Sequence, residues 1–244
     1  MIQNKKQFTF SRAQLKWMAA ATMLADHVGY MLVPPLQEPS GILSLPYPLI
    51  YYVLRLAGRL SFPMVCFMLV EGAYYTHNRK KYLFRLLLAA LLSEIPFDLA
   101  LYGKLCDFRN QNVLFTLVIG LAVIFLIERA LQLEERTVRI QACLLIVMGG
   151  IFSACLLGTD YSYWGILLIL AFYLGRYQSR QRIFSVIILC AAQGLMEAFA
   201  AFSLVMTEHY DPQKPGCFPK YFFYVFYPVH LLILLGIQCL IKYF

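Results

Sequence analysis

VLFTLVIGLAVIFLIERAL, residues Val113 to Leu131, runs fifteen positions before its first charge, Glu128. A helix at the surface of a soluble domain breaks its apolar face with polar residues at each turn; one that is apolar all round is buried in a large core or in lipid. Crossing a hydrocarbon core takes roughly 20 residues, and this stretch has that length. The same ruler, carried outward, finds seven more segments. They are Leu15–Val33, Leu54–Tyr75, Tyr82–Tyr102, Ile140–Leu157, the short Tyr161–Gly175, Ile183–Met206 and Phe222–Tyr243. The chain therefore predicts an all-α integral membrane protein. Its expected architecture is a bundle of about eight transmembrane helices in one polytopic domain over residues 1–244.

Composition agrees. Apolar residues make up 61% of the 244 and charged ones only 14%, with a mean hydropathy of +0.65. A water-soluble fold has nowhere to hide so much apolar surface, whereas lipid is a solvent for it. The seven cysteines show no zinc-ligand spacing and read as apolar filler, so no metal is expected. The first apolar segment carries Asp26 and His27 and lacks a small-residue cleavage site, so it is expected to remain in the protein.

The net charge of +8 follows from topology rather than from a nucleic-acid partner. Lys5, Lys6, Arg12 and Lys16, then Arg79, Lys80 and Lys81, then Arg129, Arg136 and Arg139, then Arg176, Arg180 and Arg182, and finally Lys242 recur on one side of the expected spans. The positive-inside rule makes that side, with both termini, cytoplasmic. The localisation that follows is a multi-pass protein of a bacterial cytoplasmic membrane. The Pro34–Pro48 and Glu208–Lys220 loops then lie outside.

Ionisable groups within the spans are costly and usually face a cavity or a partner. Asp26, His27, Arg55, Arg59, Glu94, Asp98, Glu197 and His230 fall at similar depths in the outer halves of their segments, counting about 1.5 Å per residue. Glu71 and Arg85 lie nearer the cytoplasmic end. Convergence at one depth predicts a polar chamber. Simpler readings exist for single residues: Arg55 and Arg59 as boundary side chains that snorkel, or Glu94 and Asp98 as ion-pair partners for that arginine face.

Around these positions the chain resembles the TraX family, named for the enzyme that acetylates F-pilin. The matching stretches are Leu15-Lys16-Trp17 through Asp26-His27-Val28-Gly29, and Gly58-Arg59-Leu60-Ser61-Phe62-Pro63 through Glu71-Gly72. Lys81-Tyr82 with Arg85-Leu86-Leu87, Ser93-Glu94-Ile95-Pro96-Phe97 and Asn112-Val113-Leu114-Phe115-Thr116-Leu117 continue the likeness. Asp160-Tyr161-Ser162-Tyr163-Trp164-Gly165-Ile166 and Phe226-Tyr227-Pro228-Val229-His230-Leu231 complete it. The family is similar to wider multi-helix acetyltransferases that modify a far-side acceptor with cytosolic acetyl-CoA. The resemblance thus implies an acetyltransferase, with acetyl-CoA and the lipid bilayer as partners. The acceptor stays open: a peptide N-terminus, a glycan or a small molecule.

Acyl transfer to an amine or hydroxyl needs a base, and a histidine titrating near about 6.5 is the usual choice. His27 is the first candidate, acting as base or as a covalent acetyl carrier. Asp26 points about 100° away from it on the helix, so cross-helix partners are expected: Arg59 for Asp26, and Glu94 or His230 for His27. Asn112 or Arg59 would donate to the thioester oxygen. Pro96 is expected to bend its helix so that Glu94 meets the chamber. Arg79, Lys80, Lys81 and Arg85 would receive the donor phosphates, with Glu71 lining the route, and Asp160 and Arg55 complete the expected binding residues.

Two other functions compete. Intramembrane Asp, Glu, His and Arg also build small-molecule or proton-coupled transporters. Glu134-Glu135 with Arg139, and Phe226 with His230, match the spacing of intramembrane metalloproteases. Cys106 and Cys217, both in expected outer loops, are candidates for a disulfide.

Overall fold

The computed structural model describes residues 8–34, 47–107 and 109–243. Among these it is helical, apart from two isolated bridges, Phe10 with Tyr210 and Gln111 with Thr159. The expected Pro34–Pro48 loop falls almost wholly outside the described residues.

Helix α1 (Arg12–Met31) starts at a capping box in which the Gln14 amide donates to Ser11 Oγ at 3.2 Å and the Ser11 amide donates to Gln14 Oε1 at 2.9 Å. Two donors that a helix start leaves orphaned are thereby satisfied. The second expected segment is two helices, α2 (Tyr47–Arg59) and α3 (Ser61–Tyr75). Pro63 causes the break: it has no N–H for the Arg59 carbonyl, and it is tolerated in the first turn of α3. By contrast α4 (Arg79–Tyr102) continues through Pro96 and stops at Gly103.

Four more helices follow, α5 (Val113–Ala130), α6 (Arg136–Leu156), α7 (Ser162–Leu174) and α8 (Ser179–Gln193). Then comes a broken stretch of α9 (Leu195–Ala198), a 3-10 turn (Phe199–Phe202) and α10 (Ser203–Glu208), before the final helix α11 (Phe222–Tyr243). Among the described residues four stretches are long and apolar enough to cross a membrane, namely Leu49–Tyr75, Val113–Ala130, Arg136–Leu156 and Phe222–Ile241. Leu145, Met148 and Phe152 on α6 are each more than 60% exposed. Such a stripe suits a bilayer and not water. The inner faces pack Leu15, Leu121, Ile169, Phe172 and Leu231 into one core.

The seventh expected segment is not one rod. Gly194 sits at φ 133° and ψ 173°, a backbone region open essentially to glycine alone, and it turns the chain back on itself. Arg182 near the start of α8 and Glu208 at the end of α10 meet at 2.6 and 2.7 Å, so the two arms form a hairpin with both feet at one end of the bundle. That reverses the expected topology from this point on.

The Glu208–Lys220 loop consequently lies beside the start of α1, not at the opposite end. The Phe10 amide donates to the His209 carbonyl at 2.8 Å, and the Asp211 amide to the Phe10 carbonyl at 2.9 Å. Helix α11 then runs parallel to α1: Trp17 meets Phe222, His27 meets His230, and Gln238 donates to the Met31 carbonyl. The start of α1 and the end of α11 thus lie at opposite ends, which corrects the expectation that both termini share one side. Lys214 and Lys220 join the basic end and Lys242 leaves it, sharpening the charge asymmetry. Cys106 and Cys217 are free thiols at opposite ends, so the candidate disulfide does not form.

Candidate functional site

Six helices and the α6–α7 loop line a chamber of about 620 Å³ that runs along one face of α1. Arg12, Lys16, Met23, Asp26 and His27 line it, and their spacing follows the i, i+4, i+7 rule of a single helical face. From Lys16 to His27 the wall is roughly 16 Å long. Opposite stand Phe62, Val65 and Leu69 of α3, Arg85 of α4, Leu117 of α5, and Tyr224 and Tyr227 of α11. Asp160 and Tyr161 close the far end.

At that far end two histidines distant in sequence meet. His27 Nδ1 lies 2.7 Å from His230 Nε2, and His230 Nδ1 lies 2.7 Å from the Phe226 carbonyl. The carbonyl can only accept, so in the neutral pair His230 carries its proton on Nδ1 and accepts at Nε2. His27 must then donate from Nδ1. Its Nε2 keeps an unprotonated lone pair, the form a base or nucleophile needs. The expected partnership of His27 with His230 is found, and the alternative with Glu94 is not.

Asp26, about 100° round α1 from His27, sits in the same wall but turns toward α2. Arg55 Nη1 donates to Asp26 Oδ2 at 2.7 Å, and Arg59 Nη2 lies 3.8 Å from Oδ1. Arg55 is therefore the direct partner and not a boundary side chain reaching for headgroups. The contact depends on Gly58, where a Cβ would fall 2.2 Å from Asp26 Oδ1. Arg59 retains a buried Nε without a hydrogen bond.

Glu94 and Asp98 form a separate cluster away from that arginine face. Glu94 accepts from the Asn112 amide at 3.2 Å and from Asn112 Nδ2. Asn112 Nδ2 also donates to the Ala90 carbonyl at 2.9 Å, and Asn112 Oδ1 caps α5 by accepting from the Leu114 amide. Both side-chain hydrogens of Asn112 are thus engaged and the residue is fully buried; it ties α4 to α5 and has no donor left for a thioester. Asp98 accepts from the Asp107 amide at 2.6 Å. In the loop, Arg109 and Lys104 hold the Asp107 carboxyl far below the usual carboxylate range.

Two further expectations change. Glu71 does not line the chamber but pairs with Arg176 of the α7–α8 turn at 3.0 Å, and Gly72 takes its place in the wall. Arg79 pairs with Glu128, while Lys80 and Lys81 are exposed outside the chamber. Of the basic residues expected to meet the donor only Arg85 is in the wall, joined by Arg12, Lys16 and Lys220. Sequence reading missed these three because Arg12 and Lys16 look like topogenic charge and Lys220 was placed at the wrong end. The signal available was the shared phase of Arg12, Lys16, Met23 and His27 on α1. Among the described residues no three His, Cys, Asp or Glu gather as a metal-ligand set, and Glu134 and Glu135 lie exposed at the α5–α6 turn.

The TraX protein family matches residues 11–238. This chain belongs to the TraX family. A relative from Dichelobacter nodosus, described as a probable fimbrial assembly protein FimC of serogroup H1, is 32% identical over 94% of this chain and 96% of its own length. No solved structure matches. As a TraX protein the chain is a membrane protein, and the match covers α1 through most of α11, so it spans every wall of the chamber.

Proposed function

We infer that this TraX protein is a membrane-embedded acyltransferase that moves acetyl from acetyl-CoA to an amine or hydroxyl acceptor. The observation that carries this reading is the chamber's polarity: an unprotonated His27 Nε2 at one end and a cluster of cations at the other, joined by an apolar channel. A thioester arm entering from the basic end has its carbonyl delivered to the histidine.

His27 Nε2 takes the acceptor proton as the acceptor attacks the thioester carbon, and the CoA sulfur leaves as a thiolate that regains a proton. His230 holds His27 in the working tautomer and disperses the positive charge that develops. Arg59, whose buried Nε has no hydrogen bond, stands behind the wall next to Gly58 and would have to turn inward to donate to the carbonyl oxygen as charge builds there. Asp26 is a positioning residue that anchors α1 to α2 through Arg55.

The basic end faces the cytoplasm of a bacterial cell by the positive-inside rule, which puts the CoA pool at the mouth. In this reading α1, α4 and α7 cross beside the four long apolar stretches, and the α8–α10 hairpin enters and leaves at the basic end. The fimbrial name of the relative favours an acceptor among the subunits of a surface fibre.

The test is acetyl transfer by purified protein, with thermal stabilisation by acetyl-CoA as a second readout. Stabilisation together with loss of transfer in His27→Ala supports the reading. No stabilisation and no transfer with wild type overturns it and favours a transporter.

A further inference from the structure

The ion pairs at the basic end divide its arginines into two groups. Arg79, Arg176 and Arg182 each meet a carboxylate, Glu128, Glu71 and Glu208 respectively. The four cations in the chamber wall, Arg12, Lys16, Arg85 and Lys220, meet none within 4 Å among the described residues. Arg85 Nε is buried with no hydrogen-bond partner. Both acids of the wall, Asp26 and Asp160, lie toward the histidine end.

Like charges held together without a counter-charge destabilise a fold, and a half-buried guanidinium with an empty donor is a further cost. The neighbours of these cations are aromatic instead. Arg12 lies over the Tyr75 ring at 5.5 Å, Lys16 over Phe218 at 4.8 Å and Lys220 over Tyr221 at 5.4 Å. These contacts orient the cations; Arg12 also donates to the Tyr210 hydroxyl, while among the described residues Lys16, Arg85 and Lys220 keep donors for an anion. Lys16 and Lys220 come from parts of the chain far apart in sequence and reach one mouth only because the α8–α10 hairpin returns the Glu208–Lys220 loop to the start of α1.

We propose that this mouth is a phosphate site: Arg12, Lys16, Arg85 and Lys220 hold the phosphates of a ligand whose narrow tail extends along α1 to His27. The inference rests on reading the chamber as the donor site. Two sources share the chemistry, the nucleotide head of coenzyme A and the headgroup of an anionic lipid. A guanidinium forks onto phosphate oxygens and an ammonium meets them as a point charge, so the mixed set fits several phosphates at different depths, Lys16 and Arg85 within and Arg12 and Lys220 at the rim. The aromatic rings around them offer a face to a planar base, which favours the nucleotide.

The experiment measures binding of coenzyme A, of adenosine 3′,5′-bisphosphate and of a short-chain phosphatidylglycerol to detergent-solubilised full-length protein. Wild type is compared with Lys16→Gln, Arg85→Gln, Lys16→Arg and the control Lys81→Gln, whose side chain is outside the chamber. Each neutralisation should weaken coenzyme A and the bisphosphate by about tenfold or more, the scale of a charged hydrogen bond. Lys16→Arg and Lys81→Gln should bind like wild type, and added salt should weaken wild type more than the Gln variants. Removing an unpaired charge should leave the fold intact, which thermal unfolding checks.

If the lipid binds with the same charge dependence and coenzyme A does not, the phosphate site stands and the acetyl-CoA reading falls. If coenzyme A binds equally to wild type and both Gln variants, the phosphate site is overturned while the enzyme reading survives. Binding of none of the three probes overturns the site.

Discussion

His27 Nδ1 and His230 Nε2 stand 2.7 Å apart although 203 residues separate them in the chain. The pair exists because α11 runs parallel to α1, and it fixes where the proton lies: on Nδ1 of each ring, since His230 must donate to the Phe226 carbonyl. His27→Ala should therefore lower acetyl transfer by about 10²–10⁴-fold, the usual contribution of a general base. His230→Gln should do less. It removes the tautomer lock but not the base, so kcat should fall with KM near wild type, and the pH–rate profile should shift. An unchanged profile in a folded His230→Gln protein would show that His230 acts only in packing.

Gly58 tests the anchoring of Asp26. Its place at the α1–α2 crossing is filled by the Asp26 carboxylate, so Gly58→Ala pushes the helices apart or breaks the Arg55 ion pair. The expected loss is about 1–3 kcal/mol, as for overpacking elsewhere, read as a lower Tm in detergent. Gly149 on α6 has nothing within 4 Å of its would-be Cβ, and Gly149→Ala should hold or raise the Tm. Equal effects of the two substitutions would contradict the crossing described.

Much of this was legible in the sequence, and the exceptions have physical causes. Apolar runs in lipid carry a strong signal, so α1, α4, α5, α6, α7 and α11 lie within a few residues of expectation. The Asp26, His27, Arg59 and His230 positions were exposed by the cost of charge in an apolar run. What failed was the segment Ile183–Met206, since a hairpin of two short apolar arms has the same composition as one long span. Only Gly194, following Gln193, marked the turn. That single misreading propagated to the loop, the C-terminus, the disulfide and Lys220. Asn112 and Glu71 were misread for another reason: a buried polar residue is as readily spent on a neighbouring helix as on a ligand, and spacing alone does not distinguish the two.

Topology gives a prediction independent of chemistry. In a cysteine-free background, single cysteines at positions 81 and 217 should be labelled by a membrane-impermeant maleimide from the same side, and Cys106 from the other. The straight-span alternative for Ile183–Met206 requires positions 106 and 217 to label together. That pattern would remove the parallel pairing of α1 and α11 and the His27–His230 contact with it.

The last prediction concerns the clamp that closes the hairpin. Arg182 is buried and fully engaged: Nε and Nη2 fork onto Glu208 at 2.6 and 2.7 Å, Nη1 donates to the Arg176 carbonyl at 3.0 Å, and Nη2 reaches Ser179 Oγ at 3.3 Å. Truncating one partner leaves the other charge buried without compensation, which typically costs about 3–5 kcal/mol, whereas replacing both with apolar groups of similar volume is often close to neutral. Arg182→Met should thus lower the Tm sharply. The double variant Arg182→Met with Glu208→Leu should recover most of it. Because the clamp also returns the Glu208–Lys220 loop to the mouth, Arg182→Met should weaken coenzyme A binding, and the double variant should restore binding along with stability. A large Tm loss in Arg182→Met with coenzyme A binding unchanged would separate the hairpin from the mouth and leave Lys220 outside the phosphate site.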